Sequence, residues 1–401
     1  MEVKRLLSIL LCAVLLSGCG VAETPSVGGE KASGGGADSL APTEVRKDQL
    51  SEDCVMTTEY PAYGPDVDTV TVLLENRSEE PLETGADFSV EVDMGTGGEF
   101  DWLRLEPAGG EELCWIAVEY VVEPGGTLAL QCNLSCYDRS AFTGGHFRIV
   151  KTVGGKVCTA EFTVSEDAPI TADTPYGFAP LEDLPPDYTA DAAAADGCVV
   201  FATGEDVENS EAMDAFLEKA AMNIPCQVRL ARFAAGGTVT VEDVVHEDIS
   251  GIGCRFAYRR WENGAAEPVR YFSFLNTDGW YIYLSDALAW NDSRCPEPLE
   301  LLAGDEAEPY MAAIQSWADA LAEDNVTRCR VWNPSGTACA GLTEEPLEYS
   351  VCTPGEGRIH TLTGVPDTAS ITALGWEDDR TLVLTVTDAD GSVTAVRHVI
   401  D

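Results

Sequence analysis

The chain has 401 residues, 69 acidic against 24 basic side chains, a net charge of −45, and 45% hydrophobic residues. So much apolar surface builds packed cores, and the length exceeds what one ordinary domain needs, so wholesale disorder is excluded and two or three domains are expected. A field this negative repels phosphate backbones and anionic bilayer surfaces, which excludes electrostatic binding of nucleic acid and leaves membrane attachment to covalent or hydrophobic means.

At the amino terminus, Lys4 and Arg5 precede an apolar run over 6–16, the layout of a secretory signal peptide. The run is too short to span a bilayer, which takes roughly 20 apolar residues. It ends in Leu16-Ser17-Gly18-Cys19, which resembles the lipobox of bacterial lipoproteins. The resemblance implies that residues 1–18 are removed, that Cys19 becomes the new N-terminus and the lipid attachment site, and that its acyl chains hold the protein on the membrane. Two chains give stable anchoring where one is only marginal. Residues 19–52 are mostly small and polar and include Gly34-Gly35-Gly36, so they read as a flexible tether.

Residues 53–165 carry short β-rich runs at 67–74, 88–92, 115–122, 127–134, 147–153 and 157–164. In the first run Val70, Val72 and Leu74 share one face of a strand. Glu123-Pro124-Gly125-Gly126 and Thr143-Gly144-Gly145 supply turns, and this spacing argues for an all-β sandwich. Met56-Thr57-Thr58-Glu59 with Pro61, Val70-Thr71-Val72 leading to Glu75-Asn76, the Pro124-Gly125 turn, and 145–151 together resemble a bacterial immunoglobulin-like domain family of surface lipoproteins. The resemblance implies a non-catalytic spacer or interaction module. Phe147 stands where that family usually has a tyrosine, so a hydroxyl that could tie the corner to the backbone is missing.

Proline-rich, acidic residues 166–187 mark a linker. Residues 188–304 then read as an α+β domain, one helix across an antiparallel sheet. Ser210 is the expected N-cap of that helix, and Met213, Phe216, Leu217 and Ala220 give it one apolar face, with Pro225 ending it. Strand-like runs follow at 228–233, 238–245, 254–261, 269–275 and 280–284. Asp196-Gly197-Cys198-Val199-Val200, Asn209, Phe216 and Val228-Arg229-Leu230 resemble a domain of unknown function from Gram-positive lipoproteins, which implies no chemistry. Residues 305–401 hold a second helix after Pro309, with Met311, Ile314, Trp317, Ala318 and Leu321 inward, then strands at 327–332 and 370–374 and a hairpin of 381–387 with 393–400. They form either a separate α+β domain or the completion of the preceding one.

Without Cys12 and Cys19, twelve of the 14 cysteines remain. They are free to pair in an exported protein, or to serve as small buried hydrophobes, and odd counts per segment require either a bridge between segments or unpaired thiols. Cys132, Cys136 and His146 lack a second pair at zinc spacing, so neither a metal nor another cofactor is expected. The four histidines, His146, His246, His360 and His398, each lie in a strand-like run without a nucleophile motif. His246 precedes Glu247 and Asp248, which would raise its pKa, although a solvated strand end explains the cluster more simply. Asp388-Ala389-Asp390-Gly391 reads as a hairpin turn, since it lacks the remaining ligands of a calcium loop. Arg259 and Trp261, on one face of a strand with Tyr258 and Arg260 on the other, form the local basic and aromatic patch to test for a glycan or acidic ligand.

The expectation is therefore a lipid-anchored extracellular protein, an immunoglobulin-like sandwich followed by α+β structure, that binds or scaffolds at the cell surface without catalysis. Its partners would be the membrane through its anchor and a cell-envelope protein or glycan, with no nucleic acid. Two alternatives are a cell-envelope hydrolase using acidic residues of the α+β region and a solute-binding lipoprotein.

Overall fold

The computed structural model describes residues 40–400, apart from 96–100, 111–112, 116, 205, 250–251, 290–291, 324–327, 344 and 355. The expected signal peptide, Cys19 and most of the tether lie outside the described residues. No described helix is long and apolar enough to cross a membrane. The chain divides into two compact units, one ending at Gly177 and one beginning at Phe178.

In the first unit, strands Cys54–Thr58, Thr69–Asn76 and Thr127–Asn133 form an antiparallel sheet. A larger sheet runs in the order Leu40–Pro42, Trp102–Leu105, Ser89–Asp93, Gly145–Val153, Lys156–Val164, Ala62–Tyr63, with Leu82–Thr84 and Tyr120–Val122 branching from it. Period-two alternation explains how the sheets meet. Val70, Val72 and Leu74 are wholly buried and join Val90, Phe147 and Ile149 of the other sheet in one core, which makes the expected β-sandwich. Phe147 is stacked between Phe142 and Phe162, at centroid distances of 5.2 and 5.6 Å. A tyrosine hydroxyl in that apolar stack would need a partner of its own, so the packing favours phenylalanine.

Two boundaries differ from expectation. The tether does not run to residue 52, because Leu40–Pro42 pairs with Trp102–Leu105 and Leu50 bridges to Val157. Residues 166–187 are not a free linker either. Ile170 is buried in the sandwich core and its carbonyl accepts from Gly64 N, while Leu181 and Leu184 are buried in a core of the second unit. Apolar side chains spaced among the prolines supply that burial, and proline fixes extended backbone without preventing it from packing.

The second unit is built on a mixed sheet. Val199–Ala202 lies parallel to Cys226–Phe233, and Val239–Ile249, Gly253–Glu262 and Ala265–Ala266 continue antiparallel. Helix Ser210–Ala221 buries Met213, Phe216, Leu217 and Ala220 against Val228, Leu230, Val244 and Phe256 on one face, as its periodicity predicts. The opposite face is also covered, by Leu181, Leu184, Tyr188 and Ala193 over Val200, Ala231, Val241 and Trp261. The helix is not capped by Ser210. Asn209 holds the N-cap position in the left-handed region, at φ 56°, and its amide donates instead to the carbonyls of Ala194 and Cys198. Asparagine tolerates that conformation at little cost, and the bonds tie the helix start to the first strand.

The run expected at 269–275 divides into Arg270–Phe272, on the mixed sheet, and Phe274–Thr277, which opens a three-stranded sheet with Tyr281–Ser285 and Leu299–Ala303. Helix Glu308–Glu323 shares a core with these strands through Tyr310 and Ile314, so it completes the preceding structure. The rest is β. Arg330–Trp332, Cys339–Leu342, Glu348–Thr353 and Glu356–Thr361 form a meander whose core is shared with Ser370–Trp376, Thr381–Thr387 and Val393–Val399. Leu382, Leu384 and Val386 are buried, and 388–392 makes the expected turn, closed by Asp388 N to Ser392 O at 2.9 Å.

Candidate functional site

The basic and aromatic patch dissolves into the core. Arg259 and Trp261 do share a strand face, but Trp261 is 1% exposed among Leu181, Val200 and Val241. Arg259 is ion-paired with Glu182 and donates to the carbonyl of Glu267. The pair therefore offers no joint surface to a ligand. His246 is no solvated strand end: it is buried against Phe256 and Trp317, with Nδ1 3.2 Å from the carbonyl of Ile224. Glu247 and Asp248 do not raise its pKa. Burial, against the opposing hydrogen bond to the Ile224 carbonyl, lowers it to about 4 and keeps the ring neutral.

Two histidines distant in sequence meet. Tyr349 Oη lies 2.6 Å from His398 Nδ1, Tyr349 stacks on His360 at 5.3 Å, and the two imidazoles are 4.8 Å apart. Among the described residues no three His, Cys, Asp or Glu side chains are placed to hold a metal ion. Cys295 and Cys329 form a disulfide that joins the segments on either side of residue 304, while the five described cysteines of the first unit are unpaired.

The second unit also contains a cleft of about 510 Å³, inside the usual range for small-ligand sites. One wall is helix Glu308–Glu323. Gln315, Ala318, Asp319 and Ala322 recur at i, i+3, i+4 and i+7 and line the cleft together, while Tyr310 and Ile314 pack into the core behind. The alanines leave the volume, and Gln315 Nε2 donates to Asp319 Oδ1 at 2.8 Å, which orients both head groups. The other wall is the end of strand Phe274–Thr277 and the turn after it, supplying Asn276, Thr277 and Asp278; Leu288, Ala289 and the exposed Arg328 complete the rim.

Asn276 lies at the floor and is 2% exposed. Its amide nitrogen donates to Ser285 Oγ at 2.8 Å and Ala287 O at 2.9 Å, which fixes the orientation of the group. Its Oδ1 is buried and has no donor among the described residues. An acceptor left in that state costs about 1–3 kcal/mol. Asp278 is held differently. Oδ1 accepts from the amides of Trp280 and Tyr281, both at 2.9 Å, and Oδ2 from Tyr283 Oη at 3.0 Å. Desolvation opposes its ionisation, yet these hydrogen bonds hold its carboxyl below the ordinary value. The same turn presents Trp280, 72% exposed, and Tyr281, whose ring lies 5.8 Å from that of Tyr283.

This cleft pairs acceptors (Asp278, Asp319) with donors (Gln315, Arg328), and the turn of Asp278 also carries exposed aromatic residues. A hydroxyl donates and accepts at once, so a polyhydroxylated molecule satisfies such a lining better than a simple anion or cation, either of which meets like charge. No continuous motif could have announced it, since its residues come from four separated stretches.

Residues 50–168 match the family model of a bacterial Ig-like domain, less than a third of the chain and within the first unit. No curated protein matches the sequence. Among solved structures, the alkylpurine DNA glycosylase AlkC of Pseudomonas fluorescens, bound to DNA containing an abasic-site analogue, aligns at 10% identity over 29% of this chain and 31% of that one, with a TM-score of 0.19. A β-glucosidase from Erythrobacter marinus aligns at 13% identity over 28% of this chain and 15% of that one, at 0.17. The YadV chaperone aligns at 7% identity over 87% and 100%, at 0.18. The chain thus spans under a third of the length of the first two, and alignments at these TM-scores carry no argument.

Proposed function

We propose that the protein is a non-catalytic binding module of the cell surface, exported and anchored through Cys19, whose second unit takes a polyhydroxylated ligand of the glycan class. The Ig-like match over 50–168 supports a surface or binding role for the first unit. The observation that carries the ligand class is a cleft whose lining combines amide, carboxylate and guanidinium groups, with Gln315, Asp278, Asp319 and Arg328 among them. The sandwich would then serve as spacer between membrane and binding unit.

The ligand is tested by calorimetric titration of the full-length protein with chitohexaose and with soluble peptidoglycan fragments. Binding of either, weakened at least about tenfold by Asp319→Ala and by Arg328→Ala, is the expected result, a change of about 1.4 kcal/mol. Binding untouched by both substitutions would place the ligand elsewhere. The anchor is tested by Cys19→Ala, which should move the protein from the membrane fraction to the medium; continued retention would overturn it. The hydrolase reading draws on Asp286, whose carboxyl burial pushes up to about 8, the range of a general acid, although Asp286 does not line the cleft. Release of shortened fragments in the same titration would favour that reading.

A further inference from the structure

Two thiols of the C-terminal meander are set opposite one another. Cys339 and Cys352 are direct partners across the antiparallel strands Cys339–Leu342 and Glu348–Thr353. Directly opposed residues project to the same side of a sheet, with Cα atoms about 4.5–5.5 Å apart. That spacing falls inside the range of about 4.4–6.8 Å that a disulfide requires, so the bridge needs no backbone movement. The thiols are already hydrogen-bonded to each other.

A cation attends the pair. Arg330 Nε lies 3.3 Å from Cys339 Sγ, and the guanidinium is held in place by the Ile252 carbonyl, 2.7 Å from Nη2, and by the ring of Trp332. Cys339 is buried while Cys352 is partly exposed, so a reagent from solvent meets Cys352 first. The hydrogen bond from Cys339, followed by the charge of Arg330, lowers the pKa of Cys352 to about 6 against the opposing effect of burial, whereas Cys339 is raised. A lowered pKa, partial exposure and a resolving thiol alongside are the conditions for fast thiol–disulfide exchange.

We infer that Cys339 and Cys352 are a reactive dithiol, a modification site that closes to a cross-strand disulfide by exchange with a small-molecule or protein disulfide. The Cys352 thiolate attacks one sulfur of the incoming disulfide, forming a mixed disulfide and expelling one thiolate, which takes up a proton. Cys339, losing its proton, then attacks the Cys352 sulfur and expels the second thiol. The two protein thiols are oxidised by two electrons, and the external disulfide is reduced to two thiols. The first unit contains a useful contrast. Cys54 and Cys158 also hydrogen-bond one another, but both are buried and neither has an arginine donating to its sulfur among the described residues. They should react slowly from solvent.

The test is differential alkylation of the full-length protein, mildly reduced and then titrated with oxidised glutathione, read by peptide mass spectrometry. Cys339 and Cys352 should lose alkylation together and appear joined, two hydrogens lighter than the separate thiols, before any change at Cys54 and Cys158. In Cys339→Ser, Cys352 should stop at the mixed disulfide with glutathione. Arg330→Met should slow alkylation of Cys352 at pH 7 several-fold, with Arg330→Lys restoring part of the rate. The inference is overturned if both thiols stay alkylatable at saturating oxidant, if Cys352 joins another cysteine, or if the wild-type protein itself stops at the mixed disulfide.

Discussion

Glu91 and Arg148 face each other across two strands of the sandwich, and Arg148 Nε and Nη2 both reach Glu91 Oε2, at 2.8 and 2.5 Å. The other carboxylate oxygen accepts from Thr43 at 2.6 Å, and the guanidinium lies 4.3 Å from the centroid of Trp102. Both side chains are withdrawn from water, so the pair is costly to break and of little net worth compared with apolar residues of the same volume. Glu91→Ala should destabilise the first unit by about 3–5 kcal/mol, because Arg148 is left as a buried charge. The double replacement Glu91→Leu with Arg148→Met should lose much less. Urea unfolding of the wild type and the two variants checks it; a single variant no worse than the double would mean that the charges are not effectively buried.

Two opposed titrations set the pH dependence of the second unit's stability. Burial raises the Asp286 carboxyl to about 8, so between about 4 and 8 the folded state holds more protons than the unfolded, and stability falls as pH rises through that window. Burial depresses His246 to about 4, so between 6.5 and about 4 the unfolded state holds more protons, and stability falls as pH drops. Between about 4 and 6.5 the two slopes are equal and opposite, so unfolding midpoints measured from pH 4 to 9 should be nearly flat there and fall from 6.5 to about 8. Asp286→Asn should abolish this alkaline limb and unmask an acid one below 6.5. An alkaline limb unchanged in that variant would show that Asp286 is ionised in the folded protein.

What the sequence revealed was what periodicity encodes. The alternation of Val70, Val72 and Leu74, and the helical spacing of Met213, Phe216, Leu217 and Ala220, name the buried faces because burial follows side-chain direction. His246 was misread from its acidic neighbours, yet in a strand those neighbours say little about burial, and its own face is the one packed on Phe256. Strand Cys339–Leu342 is four buried residues of small volume around Gly341, and Glu356–Thr361 is mostly polar and exposed, so neither shows an apolar alternation and their pairing comes from tertiary context. The cleft was invisible for a different reason. Asp278 and Asp319 look like any of the chain's 69 acidic residues until a helix wall and a turn are brought face to face.

Gly336 tests a close approach. Its φ is +69°, and a Cβ there would run into the Arg255 guanidinium and the ring of Tyr271, while its carbonyl accepts from Arg255 Nη1. Gly364 has a similar φ of +81° with nothing within 4 Å of a built Cβ. Gly364→Ala should therefore cost only the left-handed strain, about 1–2 kcal/mol. Gly336→Ala should cost visibly more in the same urea series, since Arg255 must also give up its contact. Equal losses at the two positions would mean that Arg255 swings aside freely.

The Cys295–Cys329 disulfide encloses strand Leu299–Ala303 and helix Glu308–Glu323, including the wall that carries Gln315 and Asp319. Its two ends belong to the core of the C-terminal meander, where Cys329 is buried and Cys295 packs alongside. Cross-linking residues 34 apart restricts the unfolded chain, and its loss should cost about 2–4 kcal/mol. Alanine at both positions avoids adding a buried hydroxyl, so the double variant isolates the cross-link. It should unfold at lower urea concentration than the wild type, and wild type refolded in reductant should approach the same midpoint. Because the loop carries the helical wall, the variant should also show faster amide exchange at Gln315 and Asp319 than at Leu382, in the neighbouring core. Unchanged midpoints with and without reductant would show that non-covalent packing alone holds the helix against the sheet.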